Sequence, residues 1–401
     1  MDKVKYMYDV LLVSINYPDI YHAWAQWNRN ANLAISKLPD VRVEIVVPRP
    51  LSLPIKYLPY NEMCRIPAMR QSEEGLVHYP RFPYLVPKKL LYGVTGDLYG
   101  YCVSRYVYGH ISKKDLVHCH HIYPDAYGML GLCEKWRVPL VGDIHGDSFF
   151  TDYAGDTGLG RRIRRTVHAC SKIVCVSHHI RELALRAGVD DAKLAFVPLG
   201  IDTGRFRPRD REQIRREMGI KEHHIVLYVG QLLRKKGLYD LLEAISLLTD
   251  RNDCKFVIIG SGPEEEGLRR RARRLGIEGQ VQFEGQRLGE ALSKWYSLAN
   301  VFVLPSWTEG RPTVIYEAMA SGCAVVATDV SGIPEQVKDG YTGLLVRPKD
   351  PVMLAEKLAL LLDSGEKMTE MGQNGRKRIL EEDWTWEGYA RKIDRVYTSV
   401  L

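Results

Sequence analysis

Short runs of apolar residues alternate with longer stretches of helical periodicity along the whole chain. In the first half the runs are "DVLLVSI" (Asp9 to Ile15), "VRVEIVV" (Val41 to Val47), "LVHCH" (Leu116 to His120), "PLVGDI" (Pro139 to Ile144) and "KIVCVS" (Lys172 to Ser177). The second half repeats the pattern with "HIVLYVG" (His224 to Gly230), "KFVIIG" (Lys255 to Gly260), "VQFEG" (Val281 to Gly285), "VFVLP" (Val301 to Pro305) and "AVVATD" (Ala324 to Asp329). Strands that are apolar throughout, with helices between them, predict parallel sheets covered on both faces. The expected fold class is α/β, with two doubly wound domains in tandem. The Pro- and charge-rich stretch "DTGRFRPRDREQ" (Asp202 to Gln213) reads as the linker between them. "WTWEGYARKIDRVY" (Trp384 to Tyr397) reads as a closing amphipathic helix. From Leu51 to His110 the pattern is less regular and rich in tyrosine and basic residues. Two readings are open there: an insertion packed on the first sheet, or a surface that contacts an acceptor or a membrane.

Composition changes this picture little. The 401 residues are 45% hydrophobic and 26% charged, with a formal net charge of +7. These are ordinary values for a globular protein and exclude a disordered chain. The basic runs "RRIRR" (Arg161 to Arg165) and "LRRRARR" (Leu268 to Arg274) fall in helical stretches and read as solvated faces. No nucleic-acid partner is expected; contact with anionic lipid is the other use these runs allow. None of the eight cysteines forms a C-x-x-C pair, which reads as reduced core residues in a cytoplasmic protein. There is no uninterrupted apolar stretch of about 18 residues and no cleavable leader. The expectation is a cytoplasmic chain, with peripheral contact on the inner face of the membrane left open.

Ligands of such sheets bind beyond the carboxyl ends of the strands, so the loops there carry the candidate chemistry. In "VGQLLRKKGLYDLLEA" (Val229 to Ala244) a strand ends, a basic loop follows and Gly237 opens a helix. Lys236 beside that helix start suits a phosphate; a solvated basic loop is the plainer reading. "IIGSGPEEEGL" (Ile258 to Leu268) has the wrong glycine spacing for a dinucleotide, and three glutamates stand where a pyrophosphate would lie. A tight strand-to-helix turn fits it better. "HCHHIYPDAYG" (His118 to Gly128) and "GDIHGDSF" (Gly142 to Phe149) place histidines just past strand ends. His118 reads as a buried structural histidine, and the spacing lacks the matching ligands of a zinc site. No Asp-x-Asp motif occurs, so no divalent cation is expected.

"SWTEGRPTVIYEAMASG" (Ser306 to Gly322) carries two glutamates. Glu309 precedes a helix that begins near Thr313, and reads either as a ligand contact or as an acid at the helix dipole. Glu317 lies about one turn in. Its helical neighbours are Thr313, Val314, Ala320 and Ser321, none of them cationic. A largely buried carboxylate needs a partner, and the vicinal hydroxyls of a ribose would serve, with a diphosphate between the helix start and Lys236.

Together these residues resemble a known family. "PSWTEGRPTVIYEAMASGCAVVATDVSGIPEQVKDGYTGLLVRPKD" is similar to the donor-site signature of retaining glycosyltransferase family 4. "VGQLLRKKG", "IIGSGPEEEGL", "VPLGIDTGRFRP" and "VPLVGDIHG" extend the similarity over nearly the whole chain. The resemblance implies a GT-B fold, two Rossmann-like domains facing a central cleft. Residues 1–203 would bind the acceptor and 204–382 the nucleotide sugar, and 383–401 would pack back on the first domain. It implies a hexosyl- or related sugar transferase. The donor is a nucleoside diphosphate sugar and the acceptor a hydroxyl of a sugar, glycan or lipid-linked glycan, as in cell-surface polysaccharide synthesis. Neither cofactor nor metal is implied.

By position, Glu317 resembles the ribose-binding glutamate, Glu309 the one at the donor sugar, Lys236 the phosphate-binding lysine and His145 the histidine near the transferred sugar. Gly310, Arg311, Pro312 and Thr313 match the backbone that meets sugar and diphosphate, while Gln286 and Arg287 lie where the family contacts the base. The catalytic candidates are thus His145, Lys236 and Glu309; Asn16, Tyr17, His120 and Asp147 are the acceptor-side candidates. Three departures stand out. Gln231, also a donor-side candidate, replaces a usual Arg, and Leu199 replaces a frequent Asn. The loop "SINYPDIYHAWAQ" lacks the paired glycines common after the first strand. The alternatives are a non-catalytic nucleotide-sugar-binding protein, or a sugar phosphorylase or sucrose-type synthase on the same fold.

Overall fold

The computed structural model describes residues 7–18, 26–51, 61–84, 88–248, 251 and 253–401. The middle of the loop after the first strand and parts of the tyrosine-rich segment therefore lie outside the described residues. The chain divides into two compact units, one of Met1–Leu199 with Trp386–Leu401, the other of Gly200–Thr385. The boundaries read from the sequence were 203/204 and 382/383.

The sheet of the first unit contains β1 (Tyr8–Val13), β2 (Val41–Val46), β3 (Met69–Ser72), β4 (Gly75–His78), β5 (Leu116–Cys119), β6 (Leu140–Ile144), β7 (Lys172–Cys175) and β8 (Leu194–Phe196). Their order is β8-β7-β6-β5-β1-β2-β4-β3. All pairs are parallel except β3 with β4, which form a hairpin. Every residue of β5 and β6 is buried, as continuous apolar strands covered on both faces require. The strand order reverses between β1 and β5, and the crevice beyond their carboxyl ends is where such a sheet takes a ligand.

The second unit holds a six-stranded parallel sheet of β9 (His224–Val229), β10 (Cys254–Ile259), β11 (Val281–Gly285), β12 (Val301–Leu304), β13 (Ala324–Thr328) and β14 (Gly343–Val346). Its order is β11-β10-β9-β12-β13-β14, with the reversal between β9 and β12. All ten strands expected from the apolar runs are present. Those not anticipated are the hairpin β3–β4, the short β8 and β14, and a two-residue pair at Arg49–Pro50 and Arg81–Phe82.

Two sequence expectations are corrected. The irregular reading of Leu51 to His110 misses a 23-residue helix, Lys88–His110. Two of its glycines are packing positions. A Cβ at Gly96 would lie 1.8 Å from Tyr123 Oη, and one at Gly100 3.1 Å from the Cα of Gly128. Gly100 lets this helix and Tyr127–Trp136 approach closely, and Gly96 makes room for the Tyr123 side chain. The stretch Asp202 to Gln213 is likewise no free linker. Arg209 pairs with Glu290, and Arg211 donates to the carbonyls of Ser297 (3.2 Å) and Ala299 (3.1 Å). Its charges therefore fasten it to the second unit.

The last helix, Trp386–Thr398, belongs to the first unit and buries Trp386, Tyr389, Ile393, Val396 and Tyr397 in its core. No described helix is long and apolar enough to cross a membrane. All eight cysteines are unpaired.

Candidate active site

In the second unit the loops after β9 and β12 meet at the reversal point. Tyr228 Oη donates to the carbonyl of Gln231 at 3.0 Å within the first loop, and the Trp307 amide donates to the carbonyl of Lys235 at 2.8 Å, tying the two loops together. The glycines of "IIGSGP" serve the same packing: a Cβ at Gly260 would lie 1.9 Å from the Gly230 carbonyl, and one at Gly262 2.4 Å from that of Leu232. They admit a backbone neighbour, which explains the spacing that no dinucleotide motif matched.

Lys236 Nζ lies 2.6 Å from Glu309 Oε1, and Ser306 Oγ donates to the same oxygen at 2.6 Å. Both charged side chains are mostly buried, with 18% and 10% exposed. A pair this close holds a cation at the mouth of the loop, where an anionic ligand can compete for it. The chain then turns at Gly310 into the helix Thr313–Ala320, whose N-cap is Pro312 and which has no side-chain cap. Its first-turn N–H groups therefore face outward uncapped, the usual setting for a phosphate. Arg311 contributes backbone only. Its buried guanidinium pairs with Glu335 at 2.6 Å, donates to Tyr316 Oη and lies over the Trp384 ring, so a donor contact from the side chain does not fit this geometry.

Glu317 sits one turn into that helix. Its Oε2 is buried without a hydrogen-bond partner. Burial pushes its pKa up to about 7, moderated by the nearby Tyr296 hydroxyl and the Arg205 charge. Tyr296 Oη also lacks a hydrogen-bond partner, so the two groups are close without being aligned. An orphaned buried carboxylate oxygen costs free energy unless something donates to it. Gln231, Gln286 and Arg287 are all exposed, and Arg287 pairs with Glu284 at 3.0 Å. Ser306, Trp307 and Tyr296 belong to this site without having been anticipated. Tyr296 comes from the separate helix Gly289–Leu298, so no local spacing could have shown it.

In the first unit the loops after β1, β5 and β6 carry Asn16, His121 and His145. Asn16 Nδ2 lies 3.1 Å from His121 Nε2, and His121 Nδ1 lies 3.2 Å from Asp125 Oδ2. Asp125 is fully buried and accepts the Ile15 amide at 3.1 Å and Tyr99 Oη at 2.6 Å. Arg49, also buried, donates to the carbonyls of Ile15 (2.9 Å) and Tyr17 (2.6 Å). Side chains thus hold residues 15–17 of this loop in place, where the family commonly has paired glycines. Trp27 packs on His145 with ring centroids 4.3 Å apart.

Two acceptor-side candidates lie behind the wall rather than on it. His120 is fully buried, between Asp143 Oδ2 at 3.1 Å and Asn32 Oδ1 at 2.7 Å. Tyr17 is buried with its hydroxyl on Glu74. His121 and Trp27, each partly exposed, take their places. The sequence signal for His121 was present in "HCHH", but the strand stops at Cys119 and the side-chain alternation stops with it. Asp147 is half-buried, 3.4 Å from His179 Nε2. His118, His120 and Asp143 stand close enough to hold a metal ion. Hydrogen bonds already engage all four ring nitrogens and both carboxylate oxygens, so the cluster is accounted for without one.

Two Rossmann-like parallel sheets with these loops at their reversal points define a GT-B glycosyltransferase. The comparisons agree. The model of glycosyl transferases group 1 matches residues 210–378, and that of glycosyltransferase family 4 matches 41–205. The D-inositol 3-phosphate glycosyltransferase of Corynebacterium diphtheriae is 32% identical over 308 residues, 72% of this chain and 71% of that one. TuaC of Bacillus subtilis, named for teichuronic acid biosynthesis, is 29% identical over 323 residues, 79% of each chain. The crystal structure of HepE from Anabaena, in complex with UDP and glucose, has a TM-score of 0.76 at 17% identity, covering 98% of this chain and 100% of that one. The chain belongs to the group 1 glycosyltransferases, family 4, and is a transferase of the glycosyl-transferring class.

Proposed function

We propose that the chain transfers a sugar from a nucleoside diphosphate sugar to a hydroxyl with net retention. The observation that carries this is the orphaned Glu317 oxygen beside an uncapped helix start and the Lys236–Glu309 pair. A ribose diol supplies the two O–H donors that Glu317 lacks, and the diphosphate lies at Lys236 and the N–H groups of Gly310, Arg311 and Thr313. Gln286 and Arg287 face the base, with Gln231 near the phosphates. Glu309 and His145 meet the sugar, and Asn16, His121 and Asp147 meet the acceptor. The acceptor oxygen attacks the anomeric carbon on the face that the diphosphate leaves. The anomeric C–O bond to phosphate breaks, and the hydroxyl proton passes to the departing phosphate oxygen. Lys236 and the helix N-terminus stabilise the charge that develops there, so the step calls for no metal. The acceptor is a sugar, glycan or lipid-linked glycan of the kind TuaC's name indicates, and the chain works in the cytoplasm, in peripheral contact with anionic membrane when the acceptor is lipid-linked.

A panel of nucleotide sugars tests this by release of free nucleoside diphosphate, with UDP-glucose first because HepE was solved with UDP and glucose. Turnover only with added acceptor, giving a product of unchanged anomeric configuration, is the expected result. Binding without turnover of any donor would leave a nucleotide-sugar-binding protein. Turnover with inorganic phosphate as acceptor would indicate a phosphorylase.

The raised pKa gives a second check. The ionised carboxylate accepts hydrogen bonds from both hydroxyls and the acid form does so less well, so affinity for a nucleoside rises with pH through about 7 and then levels. Calorimetry is expected to show up to roughly tenfold tighter nucleoside binding at pH 8 than at pH 6. A nucleoside carries no phosphate, so its own charge does not confuse the reading. A flat profile would remove Glu317 from the ribose.

A further inference from the structure

Three imidazoles crowd one carboxylate at the carboxyl ends of β5 and β6. His118 Nε2 lies 2.7 Å from Asp143 Oδ1, His120 Nδ1 3.1 Å from Oδ2, and His145 Nε2 3.7 Å from Oδ2. The first two are hydrogen bonds; the third is too long for one but well inside Coulombic reach. His145 Nε2 is buried without a hydrogen-bond partner, while 18% of its side chain reaches the surface. The part of the ring that faces outward is therefore not Nε2.

We propose that Asp143 is a positioning residue that fixes the His145 proton on Nε2, leaving Nδ1 as a hydrogen-bond acceptor for a hydroxyl of the transferred sugar. The sugar clause rests on the reading above that His145 lies beside that sugar; the tautomer does not. A lone pair at Nε2 would face the carboxylate and be repelled by it, whereas an N–H there is attracted. The charge of Asp143 is secure. Both its oxygens accept hydrogen bonds, and those bonds with the adjacent histidines hold its pKa well below the usual range against burial. Burial, in turn, holds the pKa of His145 down at about 3 despite Asp143, so the imidazole is neutral at working pH and the choice is between its two tautomers. The arrangement is braced from behind. Tyr397 Oη lies 2.6 Å from His118 Nδ1, and Asn32 lies 2.7 Å from His120 Nε2. A neutral His120 that donates to Asp143 from Nδ1 accepts at Nε2, which calls for the Asn32 amide flipped end for end, its NH2 standing in place of the Oδ1 at 2.7 Å. Trp27 fixes the plane of His145 from the other side. The closing helix, through Tyr397, thus shares one hydrogen-bonded chain with the carboxylate that orients His145.

Long-range ¹H–¹⁵N spectra of histidine-labelled full-length protein near pH 7, assigned by the signal lost in His145→Gln, decide the tautomer directly. A protonated Nε2 and bare Nδ1 are expected, and a protonated Nδ1 in the parent overturns the proposal. This measurement needs no turnover, so it fails independently of the glycosyl-transfer reading. Asp143→Asn, if it folds, is expected to shift the population toward Nδ1–H; the parent spectrum decides if it does not. Kinetics then test the acceptor. An Asn side chain can place its carbonyl where Nδ1 stood, and a Gln reaches toward Nε2. His145→Asn is expected to keep a kcat/KM roughly two- to tenfold above that of His145→Gln, the worth of one neutral hydrogen bond. Equal activities, or a better Gln variant, would overturn the acceptor role while the spectrum still reports the tautomer.

Discussion

Replacing Lys236 by Ala is expected to lower kcat/KM for glycosyl transfer about a hundredfold to a thousandfold, the usual cost of losing one donor aimed at developing charge. In the proposed reaction the leaving diphosphate gains negative charge as the anomeric bond breaks. A cation held 2.6 Å from Glu309 is already in place and needs no reorganisation to meet it. Gln231 stands where a second cation is common in the family, so Lys236 carries more of this load; Arg234 lies over the Tyr239 ring at 4.1 Å and is exposed. The same substitution is expected to leave affinity for the bare nucleoside unchanged, because a nucleoside has no phosphate to miss. That comparison guards against a trivial explanation, since removing Lys236 leaves the mostly buried Glu309 with Ser306 alone and costs some stability. Steady-state kinetics and nucleoside calorimetry on one preparation give both numbers. A fall in kcat/KM below about threefold would remove Lys236 from the reaction, and a parallel loss of nucleoside affinity would show a misfolded site.

Most of the scaffold was legible in the chain because buried parallel strands announce themselves as continuous apolar runs. Ten runs gave ten strands, and the loops just after them, where chemistry was sought, include the two beside the reversal between β9 and β12. What escaped had a physical reason each time. The helix Lys88–His110 reads as irregular, yet its Gly96 makes room for Tyr123 and its Gly100 is where it touches Gly128 of the next helix. Arg209 and Arg211 read as linker charge, yet they are spent on a carboxylate and on two carbonyls. His120 read as a strand-end ligand group because period-two alternation cannot tell which of two adjacent histidines leaves the sheet first. The buried chain Tyr397–His118–Asp143–His120–Asn32 joins residues from four segments, and no spacing within one segment could reveal it. Glu317 was legible for the opposite reason: the absence of any cation within a helical turn is itself a local property.

Replacing Glu317 by Gln is expected to weaken both nucleoside and nucleoside diphosphate binding tenfold to a hundredfold at pH 8. Two charge-assisted hydrogen bonds to a diol are worth roughly 1.5–3 kcal/mol each at most. The amide keeps one acceptor oxygen, so a net loss of about 1–3 kcal/mol remains, which gives that range of affinity. The pattern across ligands separates this from Lys236, whose proposed ligand partners are the phosphates alone. The pattern across pH is sharper still. With its pKa near 7, the parent carboxyl is mostly neutral at pH 6, so the gap between parent and variant narrows there and opens at pH 8. Stability moves the other way. A carboxyl whose folded pKa is raised contributes most when protonated, and that contribution is lost as the pH rises from the ordinary carboxylate range through 7. The Gln variant carries no such charge and is expected to melt no lower than the ligand-free parent at pH 8. Calorimetry with both ligands at the two pH values, beside thermal melts, checks each element. If Glu317→Gln binds both ligands as the parent does and only its melting temperature falls, Glu317 is a structural residue and the donor assignment to this helix is wrong.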